Sequence, residues 1–119
     1  MVNNIGLKFK KTSVTIDEKN ICHKNKCGKQ PIKSISKPII SYEVNDDNKK
    51  EILVLGKDKD NYLTAVLYDE NMKLKKSNDS KNYNDYYQFS KSVLHSHKKF
   101  SDEGDIGKAR ITYQLLNYW

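Results

Sequence analysis

Two cysteines in 119 residues are too few for a disulfide framework, so stability has to come from a packed core. No apolar run approaches the ~18 residues that a membrane-crossing helix needs. The opening stretch, MVNNIGLKFKK, holds no apolar segment of leader length, and the expectation is a soluble cytoplasmic protein with no membrane partner. Arginine is nearly missing: Arg110 stands alone beside 21 lysines. Its planar fork reads guanine edges and phosphates with two bonds at once, whereas lysine is a point charge. A sequence-specific duplex reader is therefore disfavoured. Gly56, Gly104 and Gly107 form no phosphate-cradling pattern, and no cofactor is expected.

Positive charge is abundant and unevenly spread. The net charge is +7, and the stretch from Lys8 to Lys37 accounts for all of it, with nine lysines against Asp17 and Glu18. The remainder of the chain balances. Abundant Lys and Asn suit an AT-rich coding sequence, but the asymmetry also predicts one basic face. Its candidate binding residues are Lys8, Lys10, Lys11, Lys24, Lys26, Lys29, Lys33 and Lys37. Phe9 and Tyr42 near such a face would add base stacking to backbone charge.

The clearest structural signal is Glu51 to Lys76, EILVLGKDKDNYLTAVLYDENMKLKK. Ile52 to Leu55 is a continuous apolar run, too short for a helix, and predicts a strand covered on both faces. Lys57 to Asn61 is turn chemistry, and Tyr62 to Tyr68 predicts the next strand. Asp69-Glu70-Asn71 predicts a turn with positive φ at Asn71. Met72 and Leu74 then alternate with Lys73 and Lys75, the pattern of a half-exposed edge strand. Upstream, Pro38 to Val44 alternates as well and turns through Asn45 to Asn48. Four consecutive strands joined by short turns predict an antiparallel meander.

At the N-terminus, Ile5, Leu7 and Phe9 alternate with basic residues, and Val14 and Ile16 alternate again after a slip in parity. Asp17 to Asn20 reads as a turn. Ile21 to Lys37 reads as an irregular basic loop, broken by Gly28 and Pro31, with a short strand at Ile32 to Ile35. After a polar linker, Tyr86, Phe89, Val93, His97 and Phe100 recur at helical spacing behind an Asn84 cap. Ile106, Ala109, Tyr113 and Leu116 form the stripe of a second helix, and Trp119 is expected to pack back on the body. The expectation is one α+β domain over residues 1–119: an antiparallel sheet of four to six strands, then two C-terminal helices on one face.

Three constellations invite chemistry. Cys22, His23 and Cys27 offer two thiols and an imidazole within six residues, the donor types for zinc, but no second Cys/His pair stands near. The plainer reading makes the cysteines small fillers, and no metal is expected. His95 or His97 with Arg110 offers a base and a cation, the needs of a small metal-free ribonuclease such as a toxin of a toxin–antitoxin system. Asp17-Glu18, Asp46-Asp47 and Asp58/Asp60 look like paired carboxylates, but each sits in a turn that explains it.

No catalytic residue is assigned. The expectation is a non-enzymatic binding protein with a protein partner: an inhibitor, of the kind phages and mobile elements carry against CRISPR-type defence, docking on a nucleic-acid-processing complex through its basic first third. RNA or DNA of such a complex is a possible contact. The alternatives are the ribonuclease toxin and a plain nonspecific nucleic-acid-binding module.

Overall fold

The computed structural model describes residues 8–32, 34–46, 49–61 and 63–78, together with Ala109, Arg110, Tyr113 and Leu116. Eight strands run through them: β1 (Lys8–Thr12), β2 (Thr15–Ile16), β3 (Asn20–His23), β4 (Lys26–Lys29), β5 (Lys37–Asp46), β6 (Lys49–Lys57), β7 (Leu63–Asp69) and β8 (Leu74–Asn78). They form two antiparallel sheets, a five-stranded one in the order β1-β5-β6-β7-β8 and a three-stranded one in the order β2-β3-β4.

The α+β expectation is thereby corrected. The described chain is mostly strand, and two C-terminal helices are not seen. The first of them, residues 84–100, lies outside the described residues, as does Trp119. Of the second, only Ala109, Arg110, Tyr113 and Leu116 are described; their backbone is helical, but no helix is delimited there. A second sheet, which was not expected, covers the face of the large sheet opposite to Ala109, Tyr113 and Leu116.

β6 shows why two layers are needed. Ile52 and Val54 belong to one buried cluster, with Ile21, Ile35, Val66, Tyr68 and Met72. Leu53 belongs to the other, with Tyr42, Val44, Ala65, Leu67, Ala109, Tyr113 and Leu116. Strand side chains alternate between faces, so a strand apolar at every position must be covered twice. The small sheet covers one face, through Ile21 with Val14 and Ile16 beside it. Ala109, Tyr113 and Leu116 cover the other. Each large apolar side chain buried this way contributes about 1.5–3 kcal/mol.

The parity slip after Thr12 marks a change of sheet. β1 pairs with β5, Phe9 opposite Val44 and Thr12 opposite Ser41. Past Ser13 and Val14 the chain enters β2 and pairs with β3. Asp17 makes the next turn: its Oδ1 accepts from the amides of Lys19 at 2.9 Å and Asn20 at 2.8 Å.

The irregular loop expected over Ile21 to Lys37 is instead half a hairpin. β3 and β4 pair His23 with Lys26 and Cys22 with Cys27 around a two-residue loop, Lys24 and Asn25. Strands of four residues, here NICH and KCGK, carry too little periodicity to read. Of the short strand expected over Ile32 to Ile35, none is delimited among the described residues 32, 34 and 35. Ile35 is buried, and the Gln30 side chain takes both its backbone groups, accepting from its amide at 3.0 Å and donating to its carbonyl at 2.8 Å.

One turn differs from expectation. Between β7 and β8 the positive φ falls at Met72 (64°), not at Asn71. Met72 is buried among Ile21, Val66 and Tyr68, and that packing outweighs its backbone preference. Met72 thus belongs to the turn, and β8 begins at Leu74.

Candidate functional site

The tip of the β3–β4 hairpin leans over one end of the large sheet and leaves a groove of about 330 Å³. His23, Lys24, Asn25 and Lys26 line it from the hairpin. Glu43 and Asn45 of β5 and Lys50 of β6 form part of its floor, and Glu70 stands on the rim. Lys10 lies opposite Glu43 and Lys8 opposite Asn45, which extends the same face onto edge strand β1.

Alternation along β3 decides which side chains enter. Ile21 and His23 are buried against the large sheet. Cys22 faces outward between them, opposite Thr15 and Cys27. Imidazole and thiols therefore lie on opposite faces of the hairpin, and the zinc reading fails on geometry. The filler reading fails too, because Cys22 and Cys27 are joined by a disulfide. Among the described residues no three His, Cys, Asp or Glu side chains gather as metal donors.

His23 Nε2 stands 2.9 Å from Thr12 Oγ1 and 3.3 Å from Glu43 Oε2. Hydroxyl, imidazole and carboxylate in one row suggest a nucleophile relay. Such a relay needs the two partners on different ring nitrogens, one orienting the ring and the other being activated. Here both meet Nε2, so the trio is a polar packing contact between the sheets. Lys24 Nζ lies 3.5 Å from the same Glu43 oxygen, so the Glu43 carboxylate has a cation as well as the imidazole beside it.

A second carboxylate, Glu51, is almost fully buried at the groove's edge. Lys75 Nζ donates to its Oε2 and the Tyr113 hydroxyl to its Oε1. Tyr113 also reaches Asp46 Oδ2 at 3.2 Å. Burial first, then the bond and charge of Glu51 and the charge of Asp46, hold the Tyr113 phenol well above its ordinary range. In sequence Glu51 reads only as the polar border of the β6 run. Its outward-looking position hides a contact with residues 24 and 62 positions away.

The structure divides the eight candidate lysines. Lys8, Lys10, Lys24 and Lys26 gather at the groove end, and Lys50, which sequence reasoning left out, joins them. Lys26 donates to Asn71 Oδ1 at 3.0 Å. Lys8, Lys10 and Lys50 have no carboxylate within ion-pair distance among the described residues. Lys11 pairs with Tyr42 and lies on the opposite face. Lys37 pairs with Lys57 at the far end of β5, roughly 25 Å from Asn45 at strand rise. Lys29 ends β4, away from the tip. Lys33 lies outside the described residues.

The aromatic part of the basic-face reading is corrected. Tyr42 is fully buried, and Phe9 packs edge-on against Tyr42 and Tyr113 at 6.0 and 5.8 Å. Neither ring is placed to stack on a base. Arg110 lies 5.3 Å above the Phe9 ring, on the face away from the groove. His95 and His97 lie outside the described residues, so the expected ribonuclease set is represented by Arg110 alone. No helix among the described residues is long and apolar enough to cross a membrane.

No protein-family model, curated protein or solved structure matches the chain.

Proposed function

We propose that the chain is a non-enzymatic binding protein that engages an anionic surface of its partner through the lysine-bearing groove end. The observation that carries this reading is a surplus of amines there. Lys24 pairs with Glu43 and Lys75 with Glu51, while Lys8, Lys10 and Lys50 have no carboxylate within ion-pair distance among the described residues. Among the described residues that line the groove, Glu70 on the rim is the carboxylate with no lysine within ion-pair distance. Amines on two facing walls attract phosphates or carboxylates at long range and hold them at contact.

The partner class that fits best is an assembly that processes nucleic acid, which presents either its RNA or DNA backbone or an acidic protein groove. Docking there would block or adjust that assembly, the mode of an anti-defence inhibitor. Lysine in place of arginine suits charge recognition without base reading. Affinity capture from the host tests the proposal. Recovery of a nuclease- or helicase-containing assembly by the wild type, and its loss with Lys8→Glu/Lys10→Glu/Lys50→Glu, supports it. Recovery of no such assembly, or equal recovery by the variant, overturns it.

A further inference from the structure

The hairpin that lines the groove carries a covalent bridge that the binding reading does not use. Cys22 and Cys27 face each other across β3 and β4 and close the ring nearest the tip, one pair before His23 and Lys26. The bridge lies on the outer face, with Cys22 partly covered and Cys27 exposed. A solvent-borne thiol can therefore reach the Cys27 sulfur.

The other restraints on the tip are weak. Lys24–Glu43 and Lys26–Asn71 are contacts of exposed amines, the kind that contribute least. Lys24 sits at φ 57°, a conformation that a side chain disfavours and that opposes the tight loop. His23 alone is anchored in depth. The base of the hairpin is different: Ile21 is fully buried, and the Gly28 backbone packs on the Met72 turn. Opening the bridge would therefore free the tip and leave the base in place.

We infer that the Cys22–Cys27 disulfide is a redox latch on the groove; this rests on the binding reading for its consequence, not for its mechanics. Oxidised, it holds Lys24 to Lys26 over Lys50 on the floor. A dithiol reductant opens it in two exchanges. The first reductant thiolate attacks Cys27 Sγ and expels the Cys22 thiolate. The second reductant thiol displaces Cys27 and closes the reductant's own disulfide. Two electrons pass to the protein, both cysteines end as thiols, and the tip loosens. In a reducing compartment the groove is loose; in an oxidising one it is formed.

Amide hydrogen exchange of the full chain, with and without dithiothreitol, tests the latch. Reduction should speed exchange at residues 23–26 by about tenfold or more, with β5 and β6 unchanged. Cys22→Ser/Cys27→Ser should show the fast pattern without reductant. Unchanged exchange at residues 23–26 on reduction, or loosening of β5 and β6 to the same extent, overturns the inference. A parallel titration with a labelled single-stranded DNA oligonucleotide separates the two readings. Weaker binding in the reduced form supports both. Equal, measurable binding in the two forms overturns control of the groove. Loosening on reduction with no binding in either form keeps the latch and removes a nucleic-acid backbone as the groove's target.

Discussion

The Tyr68 hydroxyl donates to the Lys29 carbonyl at 2.7 Å and so ties the large sheet to the small one. Tyr68 is fully buried in the cluster between the sheets, and the bond lands on the last residue of β4. The bond anchors the base of the hairpin, with the buried Ile21 beside it.

Tyr68→Phe keeps the ring and removes the bond. It should cost about 1 kcal/mol, the usual net value of one internal hydrogen bond, read by urea denaturation. The pH dependence has a definite sign. Burial pushes the Tyr68 phenol up to about 12 from its ordinary 10.0. The unfolded chain therefore releases this proton first as pH rises. The associated stability is fully present below pH 10 and is lost as pH climbs toward about 12. Tyr68→Phe should shallow the alkaline loss in that window, although Tyr113, raised in the same direction, keeps part of it.

Gly28 is required by close approach. A Cβ there would collide with the Met72 carbonyl and lie 2.8 Å from Tyr68 Cε1. Gly28→Ala must lift β4 from the β7–β8 turn, at a cost of roughly 1–3 kcal/mol. The same denaturation curve reads it, and loss of protection at the Ile21 amide locates it. A variant as stable as the wild type would show that the sheets are not packed this tightly.

Glu51→Leu removes the acceptor that Lys75 and Tyr113 share. Breaking a buried charged contact from one side costs about 3 kcal/mol. The expected loss lies toward the low side, because Asp46 still accepts from Tyr113 and Lys75 can turn to solvent. Lys75→Met should cost more than Glu51→Leu, since it leaves a buried carboxylate with the Tyr113 hydroxyl and no cation. Equal stability of all three proteins by thermal melting would contradict the buried cluster.

Much of the large sheet was legible because its strands are long and apolar. Ile52 to Leu55 demanded two covers and has two, and Asn61 adopts the positive φ (71°) its turn chemistry suggests. The nature of the covers was not legible. The stripe at Ala109, Tyr113 and Leu116 does pack on one face. The other cover is a small sheet whose strands, TI, NICH and KCGK, are two to four residues long and too short to show a period. One signal could have revealed it: Cys22 and Cys27 are equidistant from Lys24-Asn25, and Ile21 and His23 share a parity. The groove was half legible, since clustering in sequence placed Lys8, Lys10, Lys24 and Lys26 together. Strand direction sent Lys37 to the other end, and only tertiary contact brought in Lys50 and Glu51.

Salt dependence of association tests whether the groove amines recognise their partner by charge. The affinity for the captured assembly is measured across a range of salt concentrations, for the wild type and for Lys8→Gln/Lys10→Gln/Lys50→Gln. Each lysine that neutralises a partner charge adds about one to the slope of log affinity against log salt. Charge recognition by these amines gives a variant slope shallower by about two to three, with weaker binding at low salt. Equal slopes and equal affinities would contradict it.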